Sequence, residues 1–266
     1  MPKLDILKMG IEELRNLDPD EVFWPMSEEE ILHMVDATDN FVLLPPAPAL
    51  GTRGPVPKFH IKLKSGLCSN GFINFKVLLK EYPNLRMVYA TQIANKLKGL
   101  FEVGYPRPDY IAGVPDAATE LGNDVAKQLG IEYIVLKKEN NQIVIDEEQA
   151  KRLILGATIL IIEDLCTKGT GVTEAIRQIL AIRDDVAVLN YIMYIVNRGG
   201  LEEVVVEGEG SFKIIPLAKR RIDEYQPGRE TCPYCANGSE PIKAKETTEN
   251  WLLLKKKEMI NPQAAA

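Results

Sequence analysis

The sequence predicts an α/β fold, a parallel sheet flanked by helices. Two observations lead there. Short apolar runs that suit strands alternate with amphipathic helical patterns between about residues 59 and 196. Loops of small residues, 114–118 and 165–171, follow two of the apolar runs and precede helical patterns. Alternating strands and helices imply a sheet covered on both faces. In such sheets ligands bind beyond the carboxyl ends of the strands, where both loops would lie.

Taken in order, residues 1–57 read as an extension. Ser27 is an N-cap with Glu30 three residues on, which predicts a helix of about ten residues. The stretch LLPPAPALGTRGPVP is a proline-rich connector, expected to be irregular and on the surface. Residues 58–200 form the core region. Phe59–Leu63 and Phe72–Leu79 suggest strands, and 86–101 a helix with Ile93, Leu97, Leu100 and Phe101 on one face. Asp109–Val114 suggests a buried strand. The helix after it aligns Leu121, Val125 and Leu129 and ends at Gly130. Ile131–Leu136 is a further strand. Thr158–Ile162 leads into Glu163 and Asp164, and a helix with Val172, Ile176, Ile179 and Leu180 on one face follows. Val186–Val196 is the last long apolar run. In the small C-terminal region, 201–266, Val204–Val206 and Phe212–Ile215 suggest a hairpin or edge strands.

Composition limits the function classes. A chain of 266 residues with 45% hydrophobic residues can bury a substantial core. The net charge of −6 argues against a general nucleic-acid binder. The N-terminus carries charges where a signal peptide needs an apolar run, and no apolar stretch has the length of a membrane span. A soluble, cytoplasmic protein that contacts neither membrane nor nucleic acid is expected. Only His33 and His60 are present, which counts against a multi-histidine metal site or a histidine-based triad. Four cysteines in so long a chain make no disulfide framework.

The chemistry is concentrated in residues 158–171, TILIIEDLCTKGTG. A strand ends in two carboxylates, and a loop of phosphate-binding size opens a helix. Loop amides and a helix N-terminus hold phosphate, and paired carboxylates take sugar hydroxyls or a bridging divalent metal. Gly169-Thr-Gly171-Val-Thr-Glu174 begins like a dinucleotide fingerprint but has Glu174 in place of the third glycine. No GxxxxGK[ST] occurs, so a P-loop is excluded.

IIEDLCTKGTG resembles the PRPP-binding motif of type I phosphoribosyltransferases. FHIKLKSGLCSNGFIN, DYIAGVPDAATELGNDVAKQLG, Lys137-Lys138-Glu139 and Asn197-Arg198 are similar to segments of the orotate phosphoribosyltransferases within that family. The resemblance covers about residues 59–200. It implies the family's parallel sheet and phosphoribosyl transfer from PRPP to a base, orotate first, giving orotidine monophosphate and pyrophosphate. It implies Mg²⁺, carried mainly by PRPP near Glu163 and Asp164, and a homodimer. PRPP would be bound by Pro115, Asp116 and Ala117, by Glu163 and Asp164, and by Thr167, Lys168, Gly169, Thr170 and Gly171. Lys137, Lys138 and Asp164 would be catalytic, and Lys64, the backbone around Phe72, and Arg198 would hold the base.

The chain departs from the family where cations face the leaving group. Ala117 stands where the pyrophosphate loop has a lysine, and Asn141 and Ile143 where the mobile hood has a lysine and a histidine. Asp146–Leu153 reads as a helix, so a stiffer hood is expected. Transfer to another base, or a catalytically weak PRPP-binding regulator, are the alternatives.

Cys232-Pro-Tyr-Cys235 has the spacing of half a zinc site. Cys68 and Cys166 fall in the expected active region, so zinc would need ligands from a second chain or from other side chains; redox chemistry and an ordinary tail are the alternatives, the ordinary tail first. Trp251–Leu254 is expected to dock on the core or on a partner subunit.

Overall fold

A six-stranded sheet carries the site. In the computed structural model, which describes residues 3–140 and 142–261, its strand order is Glu203–Val206, Gly210–Lys219, Ala187–Asn197, Thr158–Cys166, Tyr110–Gly113, Glu132–Ile134. All neighbours are parallel except the edge pair Glu203–Val206 and Gly210–Lys219. The central strand, Thr158–Cys166, is buried from Ile159 to Ile162, as the apolar run predicts, and again at Cys166. Ile159 and Ile161 pack with Val172, Ala175, Ile176 and Ile179 of the helix Thr170–Leu180. Leu160 and Ile162 point the other way and are equally buried. The parallel sheet flanked by helices is therefore observed.

The chain folds into two compact units whose segments alternate. Residues 1–38 and 75–221 cluster as one unit, and 39–74 and 222–266 as the other. The expected extension, 1–57, is thus shared between them. Within the first unit, the helix Glu28–Asp36 is capped by Ser27 in a capping box, as expected, and lies on the strand Gly210–Lys219. That strand pairs with Ala187–Asn197 along most of its length. It is an interior strand, so the start of the C-terminal region completes the main sheet.

One predicted strand is corrected. Phe72–Leu79 is a strand only in its first two residues: Gly71–Ile73 is extended and Phe75–Glu81 is a helix. Phe75, Leu78 and Leu79 are buried at helical spacing, a period that a short apolar run does not separate from a strand. The helix Pro83–Glu102 follows, opened by Pro83 at its first turn. The helix Ala118–Leu129 ends at Gly130 in the left-handed region, φ 61°.

The second unit is a small β structure. Its four-stranded sheet runs Glu224–Tyr225, Cys68–Ser69, Phe59–Lys62, Glu240–Lys243. The proline-rich connector is largely irregular, yet Val56–Pro57 pairs with Met259–Ile260 and Val56 is fully buried. Val42, Ile61, Cys68, Cys232, Tyr234 and Leu254 share its core. The Tyr234 hydroxyl donates to Pro45 O at 2.7 Å. Trp251 stacks edge-on against Phe72 at 6.2 Å, so the terminal helix, Thr248–Lys256, docks within this unit. Among the described residues, no helix is long and apolar enough to cross a membrane.

Candidate functional site

The strand Thr158–Cys166 extends past the expected run and carries Glu163 and Asp164 near its carboxyl end. Glu163 lies opposite Tyr194 of the next strand. Protein encloses its carboxyl although the residue keeps some surface. Burial first, then the charge of Asp164, push its pKa up to about 8, partly offset by the Tyr194 hydroxyl. Burial and the charge of Glu163 also push the Cys166 thiol up to about 11, so this cysteine is no nucleophile at neutral pH.

Beyond Cys166 the chain turns through Thr167, Lys168 and Gly169 into the helix Thr170–Leu180. Gly169 has φ 71°, the left-handed conformation in which a Cβ is costly. The helix therefore starts with Thr170 and Gly171, whose amides have no partner one turn earlier. Gly171 packs against the acid pair: a Cβ there would come within 2.9 Å of Glu163 Oε1. Strand end, acid pair, loop and helix N-terminus thus converge as the motif predicts.

The second loop lies alongside. Tyr110–Gly113 pairs with the acid strand, and Val114 N donates to Ile162 O at 2.9 Å. Pro115, Asp116 and Ala117 follow at the same sheet edge, with a cis peptide between Pro115 and Asp116. They line a cleft of about 440 Å³, together with Lys137 and Lys138. The sequence reading missed two further residues of this cleft, Lys76 and Lys80. Lys76 Nζ sits 2.6 Å from Asp116 Oδ2. That bond, and then the charges of Lys76 and Lys138, hold the Asp116 carboxyl below its usual range. Lys76 stands on the helix misread as a strand. Burial of Phe75, Leu78 and Leu79 on one face of that helix leaves Lys76 on the side of the cleft.

The segment after Lys137 is a β-hairpin, Leu136–Glu139 against Gln142–Ile145, with Lys138 opposite Ile143. Lys137 pairs with Asp146 at 3.3 Å, and Asp146 caps the short helix Glu147–Lys151. Asn141 lies outside the described residues. Ile143 is buried in the main core, and its amide donates to Glu174 Oε1 of the loop helix at 2.6 Å. Where the resembling family has a histidine, this chain has a packing residue.

Arg198 follows the strand Ala187–Asn197. Its amide donates to Cys166 O at 3.1 Å, which sets it beside the loop that begins at Thr167. It is only 8% exposed, and its charge reaches the Cys166 thiol. Asn197 fixes the turn by accepting from Gly200 N at 3.0 Å and donating to Leu201 O at 2.7 Å.

The remaining expected base contacts, Lys64 and Phe72, belong to the second unit. Lys64 is exposed in the tight turn closed by Leu63 N to Leu67 O at 2.8 Å. Phe72 is half-buried under Lys245, whose Nζ lies 5.0 Å from the ring centroid. The cysteine expectation is corrected here too: Cys68 is no bystander of the CxxC pair, for its sulfur lies 3.9 Å from that of Cys235. The strands Phe59–Lys62 and Cys68–Ser69 bring it there, a pairing the sequence spacing did not show.

No protein-family model matches the chain. Curated relatives do. An orotate phosphoribosyltransferase from Caldanaerobacter subterraneus is 24% identical over 192 residues, 71% of this chain and 89% of that protein. One from Chlorobaculum parvum is 26% identical over 197 residues, 72% of this chain and 89% of that protein. Among solved structures, Leishmania donovani UMP synthase matches 71% of the chain with a TM-score of 0.50 and 20% identity. This chain spans 36% of that protein's length. The chain is similar in sequence to orotate phosphoribosyltransferases and shares a fold with the UMP synthase over the span they match.

Proposed function

We propose that this phosphoribosyltransferase-like enzyme transfers the phosphoribosyl group of PRPP to a pyrimidine base, orotate first, releasing pyrophosphate. The observation that carries the reading is the juxtaposition at one sheet edge of the acid pair, the loop 167–171 at a helix N-terminus, and the cleft behind residues 115–117.

In this reading the amides and hydroxyls of residues 167–171 hold the 5′-phosphate. Glu163 and Asp164 take the ribose hydroxyls and fix the sugar. Two carboxylates at a strand end, beside a phosphate site, are the hard oxygen donors that Mg²⁺ accepts alongside substrate phosphates. When bound, Mg²⁺ supplies charge neutralisation on the pyrophosphate. The bond from the anomeric carbon to the pyrophosphate oxygen breaks as a base nitrogen closes on that carbon, and positive charge builds on the sugar. Positioning and cations around the leaving group do most of this work. Lys76, Lys80, Lys137 and Lys138 supply those cations from the cleft walls. Lys76 takes the place left by Ala117 by reaching into the same loop from a neighbouring helix. The resemblance assigns the base to Lys64, the backbone near Phe72, and Arg198, whose planar fork suits a carboxylate. It also implies a homodimer.

A second reading, a weakly catalytic PRPP-binding regulator, draws on the pairing of Lys76 with Asp116 and of Lys137 with Asp146, which spends two of the cleft's cations on protein carboxylates. Steady-state assay with PRPP, Mg²⁺ and orotate separates the two. Loss of orotate absorbance with matching pyrophosphate release is expected. Folded protein that binds PRPP but turns over neither orotate nor uracil would favour the regulator.

A further inference from the structure

We propose that His60, Cys68, Cys232 and Cys235 bind one structural zinc ion, which fastens together the two chain segments of the second unit. Their four ligand atoms all lie within 4.8 Å of one another. His60 Nε2 is 3.6 Å from Cys235 Sγ and 3.8 Å from Cys232 Sγ, and Cys68 Sγ is 3.9 Å from Cys235 Sγ. These three of the six ligand-to-ligand distances are close to the edges of a tetrahedron around zinc. Bonds of about 2.3 Å to sulfur and about 2.0–2.1 Å to nitrogen place two sulfurs about 3.8 Å apart, and sulfur and nitrogen about 3.5–3.6 Å apart. A disulfide would require about 2.05 Å, and all four cysteines of the chain are free thiols.

The surroundings are those of a closed site. His60, Cys68 and Cys232 are fully buried. The other ring nitrogen, Nδ1, lies 3.0 Å from Ser239 Oγ, so Nε2 faces the sulfurs; such an outer partner orients a metal-binding histidine. Tyr234 stacks on the imidazole at 5.4 Å and holds its plane. Three sulfurs and one nitrogen leave no open position, which marks a structural rather than a catalytic metal.

The ligands join what the chain separates. His60 and Cys68 stand on adjacent antiparallel strands, and Cys232 caps the short helix Pro233–Ala236 of the C-terminal segment, which carries Cys235. The turn carrying Lys64 lies between the first two ligands, so the ion also fixes its base. The assignment rests on none of the phosphoribosyl chemistry.

The test is elemental analysis of the full chain purified without chelator, beside a count of free thiols in unreduced protein. One zinc per chain is expected, and its loss in Cys68→Ser, with Cys166→Ser retaining it. Cobalt(II) exchanged into wild-type protein should give the intense visible bands of a tetrahedral thiolate site, which keeps the proposal testable if Cys68→Ser does not fold. A Cys232–Cys235 disulfide, protein without bound metal that cobalt fills only with octahedral spectra, or zinc unchanged in folded Cys68→Ser would each overturn it.

Discussion

Glu163 is held protonated to about pH 8 by its burial and by Asp164. A raised folded-state pKa means that the neutral form suits the fold. The contribution is complete below the ordinary value of 4.5 and is lost as pH rises through about 8. Binding that demands the ionised carboxylate must therefore displace a proton at neutral pH. Affinity for PRPP with Mg²⁺ should tighten by up to tenfold per unit as pH rises from about 6 to 8. Calorimetry in buffers of different ionisation enthalpy would show the proton release, and Glu163→Gln should abolish it. An equal pH slope in that variant would remove Glu163 from the binding step. Lys76 belongs to the same scale. If it serves the leaving group, Lys76→Ala should lower kcat/KM for PRPP by about 10- to 100-fold, as loss of one charged donor does. Lys76→Arg should recover part of that loss. Activity in Lys76→Ala within about twofold of wild type would leave the ion pair with Asp116 as its only role. Arg198→Ala makes the third prediction: a loss of orotate affinity of about 100-fold or more, with PRPP binding preserved. Unchanged orotate binding by titration would refute the base assignment.

Among the elements, the hairpin after Lys137 carries the clearest consequence. Ile143 is 2% exposed and packs with the helix Thr170–Leu180, whose N-terminus follows the loop of the candidate site. Ile143→Ala should destabilise the first unit by about 2–5 kcal/mol, read by urea denaturation. A cost under about 0.5 kcal/mol would mean that the hairpin is not anchored. The buried Ile143 side chain and the 2.6 Å bond from its amide to Glu174 tie this hairpin to the helix Thr170–Leu180. The strands around the acid pair were legible because both faces of a central strand are apolar, which leaves an uninterrupted run. Phe75–Glu81 was not, because seven residues hold too few turns to establish a period.

For the molecule as a whole, the alternation of segments between units sets a limit on dissection. Ending the chain at Arg221 removes Cys232, Tyr234 and Leu254, all fully buried against the strands of residues 39–74. Residues 39–74 should then become susceptible to proteolysis and rapid in hydrogen exchange, while the strand Thr158–Cys166 stays protected. Protection of 39–74 in the shortened chain would show that this segment folds without its C-terminal partner.

The sequence by itself determined the α/β class, the acid pair, the small-residue loop and the helix after it. These depend on residues next to one another, and local spacing decides their geometry. Only the tertiary structure decided that Gly210–Lys219 completes the main sheet, that Lys76 reaches Asp116, and that His60 and Cys68 meet the CxxC pair. Each of these is a meeting of residues far apart in the chain. Burial of apolar surface brings their strands and helices together, and it is indifferent to sequence separation. A motif written in adjacent residues can be read in one dimension, whereas a cluster built from three elements exists only once they pack.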